Sequence, residues 1–330
     1  MFQIGDVQIA APVFLAPMSG VTDAAFRTEA SRFSAPAVVT EMVAGAELAR
    51  ETEEFVRRAA PHNGTGPFIV QLAGRAPEWM RVGAELATAA GADIIDINMG
   101  CPAKRVTGGM AGCALMREPA LAQQLIAATV AGTARPVTVK MRLGWDDGSL
   151  NAPEIARIAE GEGARMVTVH GRTRQQLYAG TANWSRIAAV VEAIGLPVIA
   201  NGDIEDEESA RTAMNQSGAS GVMIGRGAEG RPWRMAQIAH ALFGTPFSEP
   251  TTDAKIASII HQVNSSVALY GERLGVRVVR KHVAAFVDAW CEDCGLPPMT
   301  EARIALCRLD SAAALQGGLL EAFAERRTAA

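Results

Sequence analysis

Residue types that bind ligands or move protons recur at one kind of place in this chain, the end of a short apolar run. They are Ser19, Glu41, Gln71, Asn98, Cys101, Lys140, Arg142, His170, Arg172, Asn201, Asp203 and Arg226. A polar group buried at such a position costs about 1–3 kcal/mol unless it finds a partner, so a set of them implies a shared network or a ligand. Taken singly, each could equally cap or brace a loop. Asn98–Pro102 reads NMGCP and is followed by Lys104 and Arg105. Nearby cations favour a thiolate, whereas general acid catalysis requires the thiol, and the sequence alone leaves the state of Cys101 open. Cys113, between Gly112 and Ala114, has the surroundings of a small buried thiol without a role. Lys140 lies inside VTVKMRL, flanked by apolar residues, which argues against a snorkelling surface lysine. Further on, VIANGD (Val198–Asp203) and GVMIGRG (Gly221–Gly227) both finish in glycine-bearing turns. Backbone N–H groups of such turns, with the positive end of a following helix, suit a phosphate.

The runs that carry these residues are Val13–Met18, Ala37–Met42, Phe68–Leu72, Ile94–Asn98, Val137–Arg142, Met166–His170, Val198–Asn201 and Gly221–Ile224. They are continuous and rich in β-branched residues, the pattern of parallel strands covered on both faces. Helical stretches separate them, among them Pro77–Ala90 and Pro119–Ala131, each opening on a proline that a first helical turn tolerates. Eight βα units predict a closed (β/α)₈ barrel over 1–243, whose strand C-termini converge on one rim. The two glycine turns then fall on the last two strands, a recurrent phosphate position in such barrels. Residues 244–252 read as a proline- and glycine-bearing linker. From 253 to 330 the stretches Ala254–Tyr270, Glu272–Trp290 and Glu301–Ala324 predict helices and no strand, hence a small helical domain.

Composition sets outer limits. The chain has 330 residues, 31 Lys and Arg against 35 Asp and Glu, and a formal charge of −4. That balance excludes a globally basic nucleic-acid binder, though not a local basic patch. No apolar run has the length that spans a bilayer, and the N-terminus lacks the features of a secretion signal, so no membrane association is expected. Five cysteines make no disulfide framework, and a reducing cytoplasm is the expected location. One C-x-x-C (Cys291, Cys294) has Cys307 and His282 within reach in sequence, but a zinc or iron–sulfur site needs about four well-spaced ligands. No metal is assigned.

The stretches APMSGVTDAAFR (Ala16–Arg27), DINMGCPAKRV (Asp96–Val106), KMRLGW (Lys140–Trp145), HGRTRQQLYAG (His170–Gly180), ANGDI (Ala200–Ile204), MIGRGAEGRPW (Met223–Trp233) and RKH (Arg280–His282) together resemble the tRNA-dihydrouridine synthases, in their bacterial DusB branch. The resemblance covers nearly the whole length. It implies an FMN-binding barrel, a helical domain that grips tRNA, and reduction of the C5–C6 double bond of a D-loop uridine with NADPH (or NADH) as reductant; the branch leans to position 17. It further implies that Pro17, Met18 and Ser19 lie along the flavin, that Gln71 meets its pyrimidine end, that Lys140 and His170 contact it, and that Asn201, Gly202, Asp203, Gly225 and Arg226 hold its phosphate. Cys101 is implied as the proton donor. The loop after it reads TGGM (Thr107–Met110), without the basic residues common in similar chains.

Chemistry agrees with those roles. Hydride arriving at C6 of uracil leaves negative charge at C5 and O4, which calls for a positioned acid and a nearby cation. A uridine stacked in tRNA must be extruded to react, at a cost of a few kcal/mol. The rest of the RNA is then read largely through phosphates and shape. Asn98 could contact the uracil edge or brace its loop. Lys104, Arg105, Arg142, Arg172 and Arg174 are expected on rim loops, facing RNA. On the second C-terminal helix Arg273, Arg277, Arg280 and Lys281 share a face, beside an apolar stripe of Val276, Val279, Val283, Phe286, Val287 and Trp290. That face could also be merely solvated; the family match at Arg280–His282 favours RNA. No obligate protein partner is expected. Two rival readings remain: an FMN-dependent reductase of a free pyrimidine, like dihydroorotate dehydrogenase, which should lack the helical domain, and a non-catalytic RNA-binding or regulatory protein, which should lack Cys101 or Lys140.

Overall fold

Each of the eight apolar runs contains a strand, and two further strands precede them. The computed structural model of the chain describes residues 1–324, apart from the side chain of Arg105; residues 325–330, the end of the expected helical domain, lie outside the described residues. The strands are β1 (Phe2–Ile4), β2 (Val7–Ile9), β3 (Val13–Leu15), β4 (Ala37–Ala44), β5 (Phe68–Ala73), β6 (Ile94–Met99), β7 (Val137–Arg142), β8 (Met166–His170), β9 (Val198–Asn201) and β10 (Gly221–Ile224). β3 to β10 pair in parallel and close a barrel, β10 bonding to both β9 and β3. Closure depends on Gly221: a Cβ there would stand 2.1 Å from the Pro12 carbonyl oxygen.

Period-two alternation divides each strand between two environments. Ile95, Ile97 and Met99 of β6 and Val137, Val139 and Met141 of β7 point outward into the core beneath the surrounding helices. The intervening residues point into the barrel. At its N-terminal end the interior is apolar, with Phe14, Ile69, Ile94, Met166, Ile199 and Met223 in one cluster. The antiparallel β1–β2 hairpin closes that end by adding Ile4 and Ile9 to the same cluster. Towards the C-terminal end the interior turns polar, with Gln71, Asp96, Asn98, Thr138, Thr168 and Asn201 all buried. A ligand can therefore enter only from the C-terminal rim.

After the last barrel helix (Arg234–Phe243) the chain runs without regular structure to helices Thr252–Tyr270, Glu272–Asp293, Thr300–Arg308 and Ala312–Ala322. The expected single helix over Glu301–Ala324 is two. Leu309 is extended, its carbonyl accepts from the Arg280 guanidinium at 2.8 Å, and the Ser311 side chain caps the next helix by accepting from the Ala314 N–H. The six residues of the expected apolar stripe on Glu272–Asp293 all enter one core with Trp233, Ile259, Val263, Leu315 and Phe323. These helices dock on the barrel through the helix Ala24–Arg32, where the buried Glu29 carboxylate accepts from Ser258 at 2.6 Å and pairs with His261, and Tyr270 donates to Asp23 at 3.1 Å. No helix among the described residues is long and apolar enough to cross a membrane.

Candidate active site

The polar end of the barrel opens into a cavity of about 590 Å³. Pro17, Met18 and Ser19 line it from the loop after β3, Gln71 from β5, Lys140 and Arg142 from β7, and His170 from β8. Asn201, Gly202 and Asp203 enter from the end of β9, Gly225 and Arg226 from the turn after β10, and Asn98 and Cys101 from the end of β6. The structure thus brings together, around one space, all the residues expected at a cofactor and the expected proton donor.

Three features define what this space can hold. The Lys140 ammonium lies at the floor and donates to Asn201 Oδ1 at 2.8 Å, while Asn201 Nδ2 donates to the Met223 carbonyl at 2.7 Å. Burial first, then the Arg142 charge, lowers its pKa to about 8. His170 is held well below its ordinary value by burial and by the cations Lys140, Arg142, Arg172 and Arg226. Its Nδ1 accepts from the Arg172 N–H at 3.2 Å, so the neutral ring carries its proton on Nε2. Opposite, the Gly202–Asp203 turn has positive φ at both residues, 106° and 53°. A Cβ at 202 would meet His170 and Ala182 at 2.9 Å, which reserves the position for glycine. Asp203 would repel a phosphate if left bare. Arg172 engages it with both terminal nitrogens, at 2.8 and 2.6 Å, and Arg226 adds a third contact at 3.2 Å. The turn is left to present backbone amides and a guanidinium whose side chain is 58% exposed.

Cys101 sits at the rim with its N–H bonded to Asn98 Oδ1 at 3.0 Å and its carbonyl accepting from the Cys113 N–H at 3.0 Å. Cys113 itself is wholly buried, and burial pushes its thiol up to about 12, the behaviour of an inert thiol. Tyr178, which sequence reasoning passed over although HGRTRQQLYAG contains it, stands in the cavity mouth between two guanidiniums, with Arg142 5.8 Å and Arg226 5.7 Å from its ring centre. Met42, at the end of the run Ala37–Met42, and Glu229, inside MIGRGAEGRPW, also line the cavity and were not singled out in the sequence.

Several residues expected to face RNA do otherwise. Arg172, 2% exposed, spends its donors on Asp203 and on the carbonyls of Ala179 and Gly180. Arg142 is buried and holds the Gly100, Thr173 and Leu177 carbonyls, bracing two rim loops from within. His282 is 2% exposed and stacks on Phe26, ring centres 5.1 Å apart, between barrel and helices; burial lowers its pKa to about 3. Arg280 is half-buried and turned to Leu309. Arg174 lies over the Trp145 ring at 4.8 Å. Lys104, Arg277 and Lys281 are exposed, and the side chain of Arg105 lies outside the described residues. Glu41 accepts from the Gly20 N–H at 2.6 Å and is a loop brace. Cys291 is buried and Cys294 exposed, and among the described residues no group of three or more His, Cys, Asp or Glu could hold a metal ion.

A closed barrel with glycine-bearing turns at its last two strands, a buried lysine at its floor and a thiol on its rim defines a class: (β/α)₈ barrels whose C-terminal mouth is built to receive a phosphorylated ligand. Comparison with known proteins narrows it. The chain matches the family model described as "Dihydrouridine synthase (Dus)" over residues 14–294. It is 47% identical over 320 residues to a probable tRNA-dihydrouridine synthase of Rhodobacter capsulatus, covering 96% of each chain. It is 50% identical over 276 residues to a probable tRNA-dihydrouridine synthase of Rhizobium leguminosarum bv. phaseoli, covering 84% of this chain and 85% of that one. To the tRNA-dihydrouridine synthase B of Shewanella oneidensis it is 40% identical over 287 residues, covering 87% and 89%. The chain belongs to the dihydrouridine synthase family.

Proposed function

We propose that the protein is an FMN-dependent tRNA-dihydrouridine synthase that reduces the C5–C6 bond of a D-loop uridine, with NADPH as electron source. The observation that carries this reading is the convergence of Cys101, Lys140 and the amide turns of β9 and β10 on one cavity, in a chain of this family. FMN suits the donor set: Gly202, Gly225 and Arg226 offer amides and a guanidinium to its phosphate, and Pro17, Met18, Gln71, Lys140 and His170 would flank its ring. When bound it would supply the hydride that reaches C6 of uracil.

Lys140 holds a positive charge at the floor, where negative charge gathers in the reduced state. His170, neutral with its proton on Nε2, can only donate from that atom and adds no charge. Gln71 meets the pyrimidine end of the flavin ring, and Asn98 meets the edge of the uracil. Cys101 delivers its Sγ proton to C5 as charge develops there, and the thiolate left behind is reprotonated from solvent at the open rim. Tyr178, between Arg142 and Arg226, offers a flat face in the mouth to an extruded base or its neighbour. Exposed Lys104, Arg277 and Lys281 meet tRNA phosphates. A cytoplasmic location follows from that substrate.

The rival reductase of a free pyrimidine has no use for the helical segment that carries Arg277 and Lys281. Purified protein should be yellow, and tRNA from a strain lacking the gene should gain dihydrouridine with protein and NADPH, at a position read by sequencing. Yellow protein that reduces free uracil or orotate but leaves every tRNA uridine intact would establish the rival instead.

A further inference from the structure

Asp96 lies one residue layer below the cavity, on β6, where no ligand reaches it. In register it faces Gln71 on β5 and Thr138 on β7. Its carboxylate accepts from Thr138 Oγ1 at 2.6 Å on one oxygen and from Gln71 Nε2 at 2.6 Å on the other. Gln71 Oε1 accepts from Asn98 Nδ2 at 2.7 Å, and Asn98 Oδ1 accepts the N–H of Cys101 at 3.0 Å and of Gly100 at 3.3 Å.

The direction of this chain is forced from both ends. A backbone N–H can only donate, so Asn98 must turn its oxygen to Cys101 and its nitrogen to Gln71. Gln71 must then turn its oxygen to Asn98 and its nitrogen downward, and at that point an acceptor is obligatory. Asp96 is that acceptor. Each amide nitrogen keeps one N–H outside the chain, and both amides line the cavity beside Lys140. Asn98 Oδ1 accepts two N–H groups and Gln71 Oε1 accepts one.

We propose that Asp96 is a positioning residue that sets the orientation of the Gln71 and Asn98 amides, so that each keeps an N–H for the cavity floor and the Cys101 loop is anchored to it. Such N–H groups match ring edges bearing carbonyl oxygens, the pyrimidine end of the flavin at Gln71 and the uracil edge at Asn98, where the N–H opposes the amino group that cytosine carries in place of O4. The substrate preference rests on the function proposed above; the anchoring of Cys101 does not.

The test compares Asp96→Ala and Asp96→Asn in the holoenzyme. The asparagine can still accept from Gln71 through Oδ1 and can donate to Thr138 Oγ1, so it preserves the direction of the chain without the charge. Asp96→Ala should lower kcat for tRNA reduction by about 10–100-fold per bound flavin, with the flavin content of each variant read from its absorbance. Asp96→Asn should recover most of that loss. Independently of activity, iodoacetamide labelling of the Cys101 peptide, followed by mass spectrometry, should accelerate several-fold in the alanine variant and stay native in the asparagine variant. Should Asp96→Ala not fold, Asp96→Leu, branched at the same carbon and unable to accept, carries the same expectations. Native kcat and labelling in the alanine or leucine variant would overturn the proposal, as would an asparagine variant as impaired as alanine. If native protein leaves tRNA uridine unreduced, the functional reading falls, while the labelling comparison still decides whether Asp96 anchors the loop.

Discussion

Cys101 and Lys140 come from adjacent strands, and Asn98 on β6 is in register with Lys140 on β7. That register puts a thiol at the rim and a cation at the floor of the same cavity, where the proposed reaction needs a proton and a positive charge. Replacing Cys101 by alanine should leave the flavin spectrum intact and slow tRNA reduction about 10²–10⁴-fold; native turnover in that variant would assign the proton to another donor. Lys140 makes a pH prediction whose sign is fixed by its pKa of about 8, lowered by burial. The ammonium is present below that value and lost above it, so the single-turnover rate should decline as pH rises through 8. Lys140→Met should be slower throughout and lack that decline; an unchanged decline in the variant would place the titrating group elsewhere. At this scale the motifs NMGCP and VTVKMRL singled out both residues from sequence. Asp96 stands in a matched stretch too, but its role depends on which oxygen faces which amide, and no one-dimensional pattern encodes that.

Strands were more legible than loops. Continuous β-branched runs marked every barrel strand because both faces of each strand are covered, and that coverage is written into composition. The β1–β2 hairpin was missed because each of its strands, FQI and VQI, carries an exposed glutamine at its centre and so forms no continuous apolar run. The break at Leu309–Ser311 was missed because an apolar pattern runs across it and only cap geometry reveals it. Rim arginines were not told apart for a related reason: in HGRTR, a guanidinium that faces solvent and one that ties down a loop look alike. Arg172 shows the difference. It bonds Asp203 at both oxygens and two carbonyls of the loop that carries Tyr178. Arg172→Ala should therefore destabilise the fold by about 2–3 kcal/mol, less than the 3–5 of a wholly buried pair because the Asp203 side chain is 24% exposed. Burial pushes the Asp203 carboxyl up, but the Arg172 hydrogen bonds outweigh it and the net shift is downward from 3.8. The pair's contribution is thus complete above that value and lost as pH falls through the lower folded one. Urea unfolding at pH 7 should show the full difference between native and variant, and at strongly acid pH most of it should vanish.

Across the whole molecule, the helical segment does two separate things that the RKH motif runs together. Its inward side locks onto the barrel. His282, neutral between the two, has a folded pKa of about 3 against an ordinary 6.5. Between those values the unfolded chain binds more protons, so stability must fall as pH drops below about 6.5. His282→Phe keeps the stack on Phe26 and removes the titration, and at pH 5 it should gain about 2 kcal/mol relative to its difference from native at pH 7. It should also bind tRNA as native protein does, since the ring is out of reach of RNA. The outward side is where the proposed function puts the affinity for tRNA. A chain of net charge −4 can attract RNA only through a local cationic field. Arg277 is exposed on that side, and the Lys281 ammonium lies 3.8 Å from where a Cβ on Gly20 would stand, beside the loop that lines the cavity mouth. A tRNA phosphate passing that point would be bonded to the helices while its neighbouring nucleotide enters the barrel. Each such contact releases roughly 0.7–0.9 of a counterion. The double variant Arg277→Ala, Lys281→Ala should therefore weaken tRNA binding and flatten the slope of log Kd against log salt by about 1.5. With saturating tRNA, kcat should stay native, because neither residue reaches the cavity. An unaltered slope would mean that the RNA crosses the molecule by another face.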